Sequence, residues 1–283
     1  MPDEATRSTL PGVSYVMPVL NEVTHVRAAV DSLLNQDYEG PFEVNLALGP
    51  SMDGTTELVE ELAAVDPRIH VLDNEVGSTP AGLNLAIRAS RYPVVVRVDA
   101  HSVLPPDYAR IAVETILETG AANVGGLMDA QGTTPFERAV ARAYGSRIGL
   151  GGTKLHVGGE AGAAETVYLG VFQRDRLLDV GLFDEGIKRG QDWELNRRLR
   201  ASGGTVWFTP GLRSPIVRAP ISTGWLASSS PRESGAVSSP AVFPPRTACA
   251  TSCRRRWSSL WRSGSSSASS ESCKQPSVQH RGC

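Results

Sequence analysis

Val94-Val95-Val96-Arg97-Val98-Asp99-Ala100-His101 is the stretch on which the fold turns. Four β-branched valines in five positions predict a central strand buried on both faces, and the run stops on a carboxylate and an imidazole. A carboxylate ending the most apolar strand of a sheet is costly unless it is paired or meets a cation. His101, two residues on, can turn to the same side, which makes Asp99 and His101 candidates for holding one divalent ion. A solvated loop histidine is the plainer alternative for His101.

Reading outward, Val13 to Met17 is an apolar run ending in Pro18, and Val26, Val30, Leu33 and Leu34 then recur at helical spacing. Glu43 to Leu48 predicts a second strand. A helix follows Asp53-Gly54-Thr55, with Leu58, Val59 and Leu62 on one face. Ile69 to Leu72 reads as a third strand, and Thr79 or Pro80 opens a helix through Ile87. Strand and helix in alternation predict an α/β domain with a mostly parallel sheet and right-handed crossovers. Ligands of such sheets sit beyond the carboxyl ends of the strands. Those ends carry Pro18 to Glu22, Pro50 to Gly54, and Asp99 to His101, so polar groups gather on one edge. Taken singly, Asn21 could be a helix cap and Asp53 a turn residue.

The chain has 283 residues, enough for one α/β domain with something added. Its formal net charge of −2 exerts no global pull toward nucleic acid. That value is a cancellation, because residues from Arg213 onward hold ten Lys or Arg against Glu233 and Glu271. The same 71 residues contain 19 serines, against 9 in the preceding 212. Runs such as Ser228-Ser229-Ser230 and Arg254-Arg255-Arg256 show neither helical nor strand periodicity. The expected organisation is a flexible N-terminus over 1–10, one domain over 11–212, and a low-complexity tail over 213–283. The tail reads as a disordered basic arm or as non-native, frameshift-like sequence. All four cysteines, Cys249, Cys253, Cys273 and Cys283, lie in it, so the domain uses neither disulfides nor cysteine-ligated zinc. Residues 1–11 do not resemble a secretory signal, and no apolar run approaches the ~20 residues that span a bilayer. A cytoplasmic location follows, with room for a peripheral contact at the inner face of the plasma membrane.

The order Pro-x-x-Asn-Glu, Ser-x-Asp-Gly-Thr, Asn74-x-x-Gly77 with Asn84, and Asp-Ala-His resembles glycosyltransferase family 2. Downstream, Gly181-Leu182-Phe183-Asp184-Glu185, then Gln191-Asp192-Trp193-Glu194-Leu195 and Arg197-Arg198-Leu199, is similar to the same family's second signature. Together these cover about 200 residues in the family's order. The phrasing at Val98 to His101, Asn123 to Gly126 and Gln191 to Asn196 is similar to the succinoglycan-type exopolysaccharide branch. The resemblance implies a GT-A fold, a nucleotide-diphosphate sugar donor and a saccharide or lipid-linked acceptor. It implies a donor site of Pro18, Asn21, Glu22, Asp53, Asn84 and Asp99, a Mn²⁺ or Mg²⁺ ion on Asp99 and His101, and an acceptor side of Gln191 and Trp193. Asp192 would be the general base of an inverting transfer, kept ionised by its place at a helix N-terminus. A plain helix cap is the alternative for Asp192.

Three departures qualify that pattern. Leu48, Gly49 and Pro50 stand where the family's second strand usually ends in two aspartates, His101 stands at the third place of the metal motif, and Gln191 replaces a glutamate. The Gln-x-x-Arg-Trp motif of processive synthases is absent, which favours transfer of one sugar at a time. The glycine-dense segment from Gly149 to Gly159 reads as a mobile loop bringing Lys154 near phosphate, or as a plain linker. An alternative for the whole chain is a truncated, impaired remnant that at most binds nucleotide sugar.

Overall fold

Strand β1 (Val13–Val19) is buried at every position except Pro18, as a strand covered on both faces must be. Its period of two sends Tyr15 and Met17 into one core layer and Val16 into the other. β2 (Phe42–Leu48) and β4 (Val94–Arg97) flank it in parallel, and β3 (Ile69–Asp73) extends β2. This computed structural model describes residues 10–131, 154–187 and 189–217, together with 134, 135, 138, 139 and 142.

Helices cover both faces. α1 (Val26–Leu34), α2 (Thr55–Val65) and α4 (Tyr108–Thr119) bury Leu33, Val59 and Val113 in the Tyr15 layer. α3 (Thr79–Ala89), α6 (Arg174–Asp179) and α7 (Gln191–Ala201) bury Leu83, Leu177 and Leu195 in the Val16 layer. α5 (Lys154–Val157) is a single turn.

The sheet has eight strands in the order β3-β2-β1-β4-β7-β5-β8-β6, completed by β5 (Asn123–Gln131), β6 (Gly162–Ala163), β7 (Tyr168–Gln173) and β8 (Val206–Val217). It is parallel from β3 to β4. β7 enters antiparallel between β4 and β5, β5 pairs in parallel with β8, and β6 closes antiparallel on β8. A mostly parallel half is therefore joined to a mixed half. The α/β sheet flanked by helices agrees with the GT-A expectation.

Two segments differ from the sequence reading. β8 runs through Val217, five residues past Leu212, where composition set the domain's end, and Leu127 to Gln131 pair with Arg213 to Val217. Leu212 and Ser214 are buried. The stretch read as a loop over 149–159 contains the α5 turn, and Lys154 Nζ donates to the carbonyl of Glu160 at 3.1 Å rather than standing free. Residues 1–9, 149–153 and 218–283 lie outside the described residues, and with them the expectations for the N-terminus, the tail and its cysteines.

Candidate active site

The loops after β1 and β2 are laced together. Asn21 accepts from the Met52 N–H at 2.9 Å, and its own N–H donates to Ser51 Oγ at 3.0 Å. The Glu22 N–H donates to Thr55 Oγ1 at 2.8 Å and the Val23 N–H to Asp53 Oδ2 at 3.2 Å. Asp53 Oδ1 accepts from both the hydroxyl and the N–H of Thr55, tying down the start of α2. Those bonds, the Thr55 hydroxyl foremost, hold the Asp53 carboxyl below the usual range. Asn21 takes a left-handed backbone (φ 53°), which asparagine tolerates. Asn21 and Asp53, expected in the donor site, thus work as a clasp between loops and do not line the cavity beside them.

That cavity, of about 330 Å³, lies at the carboxyl edge of the parallel strands. Pro18 and Glu22 enter from the β1 end, Gly77 and Thr79 from the start of α3, Asp99 and His101 from beyond β4, and Gln191 from the start of α7. Glu22 bridges two imidazoles, with Oε1 3.1 Å from His101 Nδ1 and Oε2 3.1 Å from His25 Nδ1.

Arg97 lines this cavity with only 8% of its side chain exposed. Its Nη2 donates to Asp99 Oδ1 at 3.1 Å and its Nη1 to Asp192 Oδ1. Burial works against the guanidinium charge, but Asp99 and Asp192 outweigh it and the Arg97 pKa is raised. Asp192 is 35% exposed. Burial pushes its carboxyl above the ordinary range and Asp99 adds to the rise, while Arg97 pulls the other way. The expectation that a helix N-terminus keeps Asp192 readily ionised meets an opposing influence in its burial. Burial is the largest influence, and the pull toward the ionised form comes from Arg97.

Asn84, also expected at the donor, is buried and committed elsewhere. Its Nδ2 donates to Phe183 O and to Glu185 Oε1, both at 2.9 Å, and its Oδ1 accepts from the Phe183 N–H at 2.9 Å. An amide spent in this way on one loop is a clip, and it fixes the Phe183 ring 5.9 Å from Arg97 Cζ. On α7, Trp193 is 53% exposed beside Gln191 and Asp192. Glu194 grips Arg198 at 2.7 Å, and Arg198 Nη2 donates to the Leu182 carbonyl at 2.7 Å.

The glycosyl transferase family 2 model matches residues 14–174, more than half of the chain and the whole of this sheet edge up to β7. The chain belongs to glycosyl transferase family 2. It is 34% identical over 196 residues to the succinoglycan biosynthesis protein ExoA of Rhizobium meliloti, a match covering 69% of this chain and 59% of that protein. Among solved structures, the mannosyltransferase PcManGT from Pyrobaculum calidifontis in complex with GDP-Man and Mn²⁺ aligns with a TM-score of 0.59 at 19% identity, over 77% of this chain and 61% of that one. The S. aureus protein TarS (1–349) in complex with UDP-GlcNAc aligns with a TM-score of 0.59 at 17% identity, over 74% and 59%. The chain thus spans about three-fifths of the length of these relatives, and by sequence it is related to a protein of succinoglycan biosynthesis. Among the described residues no helix is long and apolar enough to cross a membrane.

For a member of this family the donor set of the cavity bears on a metal ion. Among the described residues no three His, Cys, Asp or Glu side chains form a ready-made metal site. The parts present still fit an ion that completes its shell with phosphate oxygens. Asp99 Oδ2 has no hydrogen-bond partner among the described residues. Glu22 engages His101 Nδ1, an arrangement that would leave Nε2 to face an ion, as when a carboxylate supports a metal-bound histidine. Asp99 and Asp192 share the single Arg97 guanidinium, and Glu22 lines the same cavity beside His101, so carboxylates outnumber the fixed positive charge there. Sequence reasoning gave Arg97 no role, because an arginine between valines in a strand shows no periodic signal. Only its two carboxylate partners, 2 and 95 positions away, reveal one.

Proposed function

We propose that this chain is an inverting glycosyltransferase that moves one sugar from a nucleotide-diphosphate sugar to a saccharide or lipid-linked acceptor in exopolysaccharide or envelope glycan synthesis. The observation that carries the reading is that one guanidinium lining a strand-end cavity, that of Arg97, holds two carboxylates, Asp99 in the lining and Asp192 next to the lining residue Gln191.

The donor lies along Pro18, Glu22 and Asp99 in this reading. A Mn²⁺ or Mg²⁺ ion on Asp99 and His101 supplies charge neutralisation to the diphosphate when bound. Asp192 accepts the proton of the acceptor hydroxyl. The hydroxyl oxygen bonds to the anomeric carbon as the bond from that carbon to the diphosphate oxygen breaks, and the nucleoside diphosphate departs with the electron pair. One displacement without a covalent enzyme intermediate inverts the anomeric carbon. Gln191 and the exposed Trp193 ring flank Asp192 and suit the acceptor sugar, whose apolar face stacks on an indole. The uncommon raised pKa of Asp192 suits a base, since proton transfer is most effective when the pKa approaches the working pH.

A thermal-shift screen of UDP-GlcNAc and GDP-mannose, each with and without Mn²⁺, tests the donor half. Stabilisation by a sugar nucleotide that depends on the metal is expected. Equal shifts with and without Mn²⁺ for every nucleotide would remove the metal from the proposal. Product analysis by NMR tests the rest, and retention at the anomeric carbon would exclude the single displacement.

A further inference from the structure

Asp99 and Asp192 have parts in the proposed reaction, and the cation between them has none. Arg97 is the only buried lysine or arginine among the described residues. Its guanidinium gives Nη2 to one carboxylate and Nη1 to the other, and its Nε–H is buried without a partner. A buried guanidinium is costly to keep. On a four-residue strand whose other members are valines, apolar packing would do as well for the core. Each carboxylate spends Oδ1 on Arg97, and Oδ2 of each has no hydrogen-bond partner among the described residues. The Phe183 ring beneath the guanidinium is itself clipped by Asn84, so the fork is braced from a second element.

We propose that Arg97 is a positioning residue that sets Asp99 and Asp192 in one frame, occupying one oxygen of each. The remaining oxygen of Asp99 is thereby presented to the metal and diphosphate, and that of Asp192 to the acceptor hydroxyl. The inference rests on the transferase reading with Asp192 as base. A planar fork with two separate N–H directions is required, and the ammonium of lysine, a single point charge, does not supply it.

The test uses the full chain as wild type, R97K, D192N and R97K/D192N. Three quantities are read: the melting temperature, the Mn²⁺ concentration for half-maximal UDP binding by calorimetry, and nucleoside diphosphate release from UDP-GlcNAc and GDP-mannose. R97K is expected to melt near the wild type, to need more Mn²⁺ for UDP, and to release product roughly 10–100-fold more slowly, the scale of contacts that orient ligands from the outer shell. At Mn²⁺ concentrations that saturate each variant, where the Asp99 arm no longer limits the rate, the double variant is expected to be no slower than D192N alone, because the remaining effect of Arg97 runs through Asp192. If R97K matches the wild type while D192N is impaired, the Arg97 inference is overturned and the transferase reading stands. Losses that multiply in the double variant at saturating Mn²⁺ overturn it as well. An unimpaired D192N, or no release by the wild type, overturns the underlying reading. Should R97K fail to fold, D192E replaces it. Its carboxylate is moved one methylene off the fork and should release product nearly as slowly as D192N, and a wild-type rate for D192E overturns the inference.

Discussion

Asp192 concentrates the chemistry at the residue scale. D192N keeps the shape of the side chain and removes the proton acceptor, so donor affinity should persist while transfer falls by ~10²–10⁴-fold, the usual scale for a general base. Unchanged turnover would return Asp192 to helix capping. The pH dependence follows from the direction of its shift. Because burial raises its pKa, the base form appears only as pH passes above the ordinary carboxylate range, and the acidic limb of kcat/KM should lie there. For stability the sign is opposite to that of a salt-bridged acid: protonated Asp192 favours the fold at low pH, and this contribution is lost as pH rises from the ordinary value through the raised one. A pH–rate profile locates the limb. Asn84 gives a second prediction. Asn84→Ala strips the buried Phe183 N–H and carbonyl of their partner and should cost about 1–3 kcal/mol in urea unfolding. It should also slow transfer, since the ring under Arg97 loses its clip. A stability loss with normal turnover would separate the clip from the site.

At the scale of elements, two features keep the sheet in register. Glu43, buried in β2, accepts from Ser14 Oγ at 2.7 Å and from the Arg91 N–H at 2.7 Å, and pairs with the Arg91 guanidinium. Burial raises its pKa, but the Arg91 and Ser14 bonds prevail and the net shift is downward. Its contribution to stability is therefore present above the ordinary carboxylate range and lost as pH falls through the lowered value. In E43Q the melting temperature should drop at neutral pH, and its decline toward acid should flatten; an acid decline as steep as in the wild type would assign acid sensitivity to other groups. The second feature is Gly126. A Cβ there would lie 1.8 Å from the Leu212 carbonyl oxygen, at the bulge where β5 and β8 change register. Gly126→Ala should accordingly destabilise by more than the ~1 kcal/mol of a typical point substitution, because backbone rather than a flexible side chain must move. A melting temperature equal to the wild type's would mean that the strands are not held this close.

For the whole molecule, the continuation of β8 changes where the domain ends. A chain stopped at Leu212 loses the pairing of Arg213–Val217 with Leu127–Gln131, and it should melt below a chain stopped at Val217; equal melting temperatures would restore the boundary drawn from composition. That boundary was placed where serine and arginine become dense, but a strand's extent depends on the neighbour that pairs with it, which composition does not register. The parallel half of the sheet was legible because β1 to β4 carry apolar runs at regular intervals, each followed by a helical period, and these patterns are local. The mixed half was not, because β7 is inserted between β4 and β5 by pairing across the chain. In the site, Pro18, Glu22, Asp99, His101 and Gln191 could be selected from their places at strand and helix ends, and they do meet around one cavity. Asn21, Asp53 and Asn84 were selected by the same motifs, yet their hydrogen bonds hold loops together. A motif records that a residue type stands at a position without recording which partner its polar atoms meet. By itself the sequence determined the family and the strand-end edge on which the site lies, since both follow from the order of residues along the chain. Only the tertiary structure decided that Arg97 joins Asp99 to Asp192 and that Asp192 is harder to ionise than an ordinary carboxylate. Burial and ion pairing arise from residues brought together across about a hundred positions, and no local pattern encodes them.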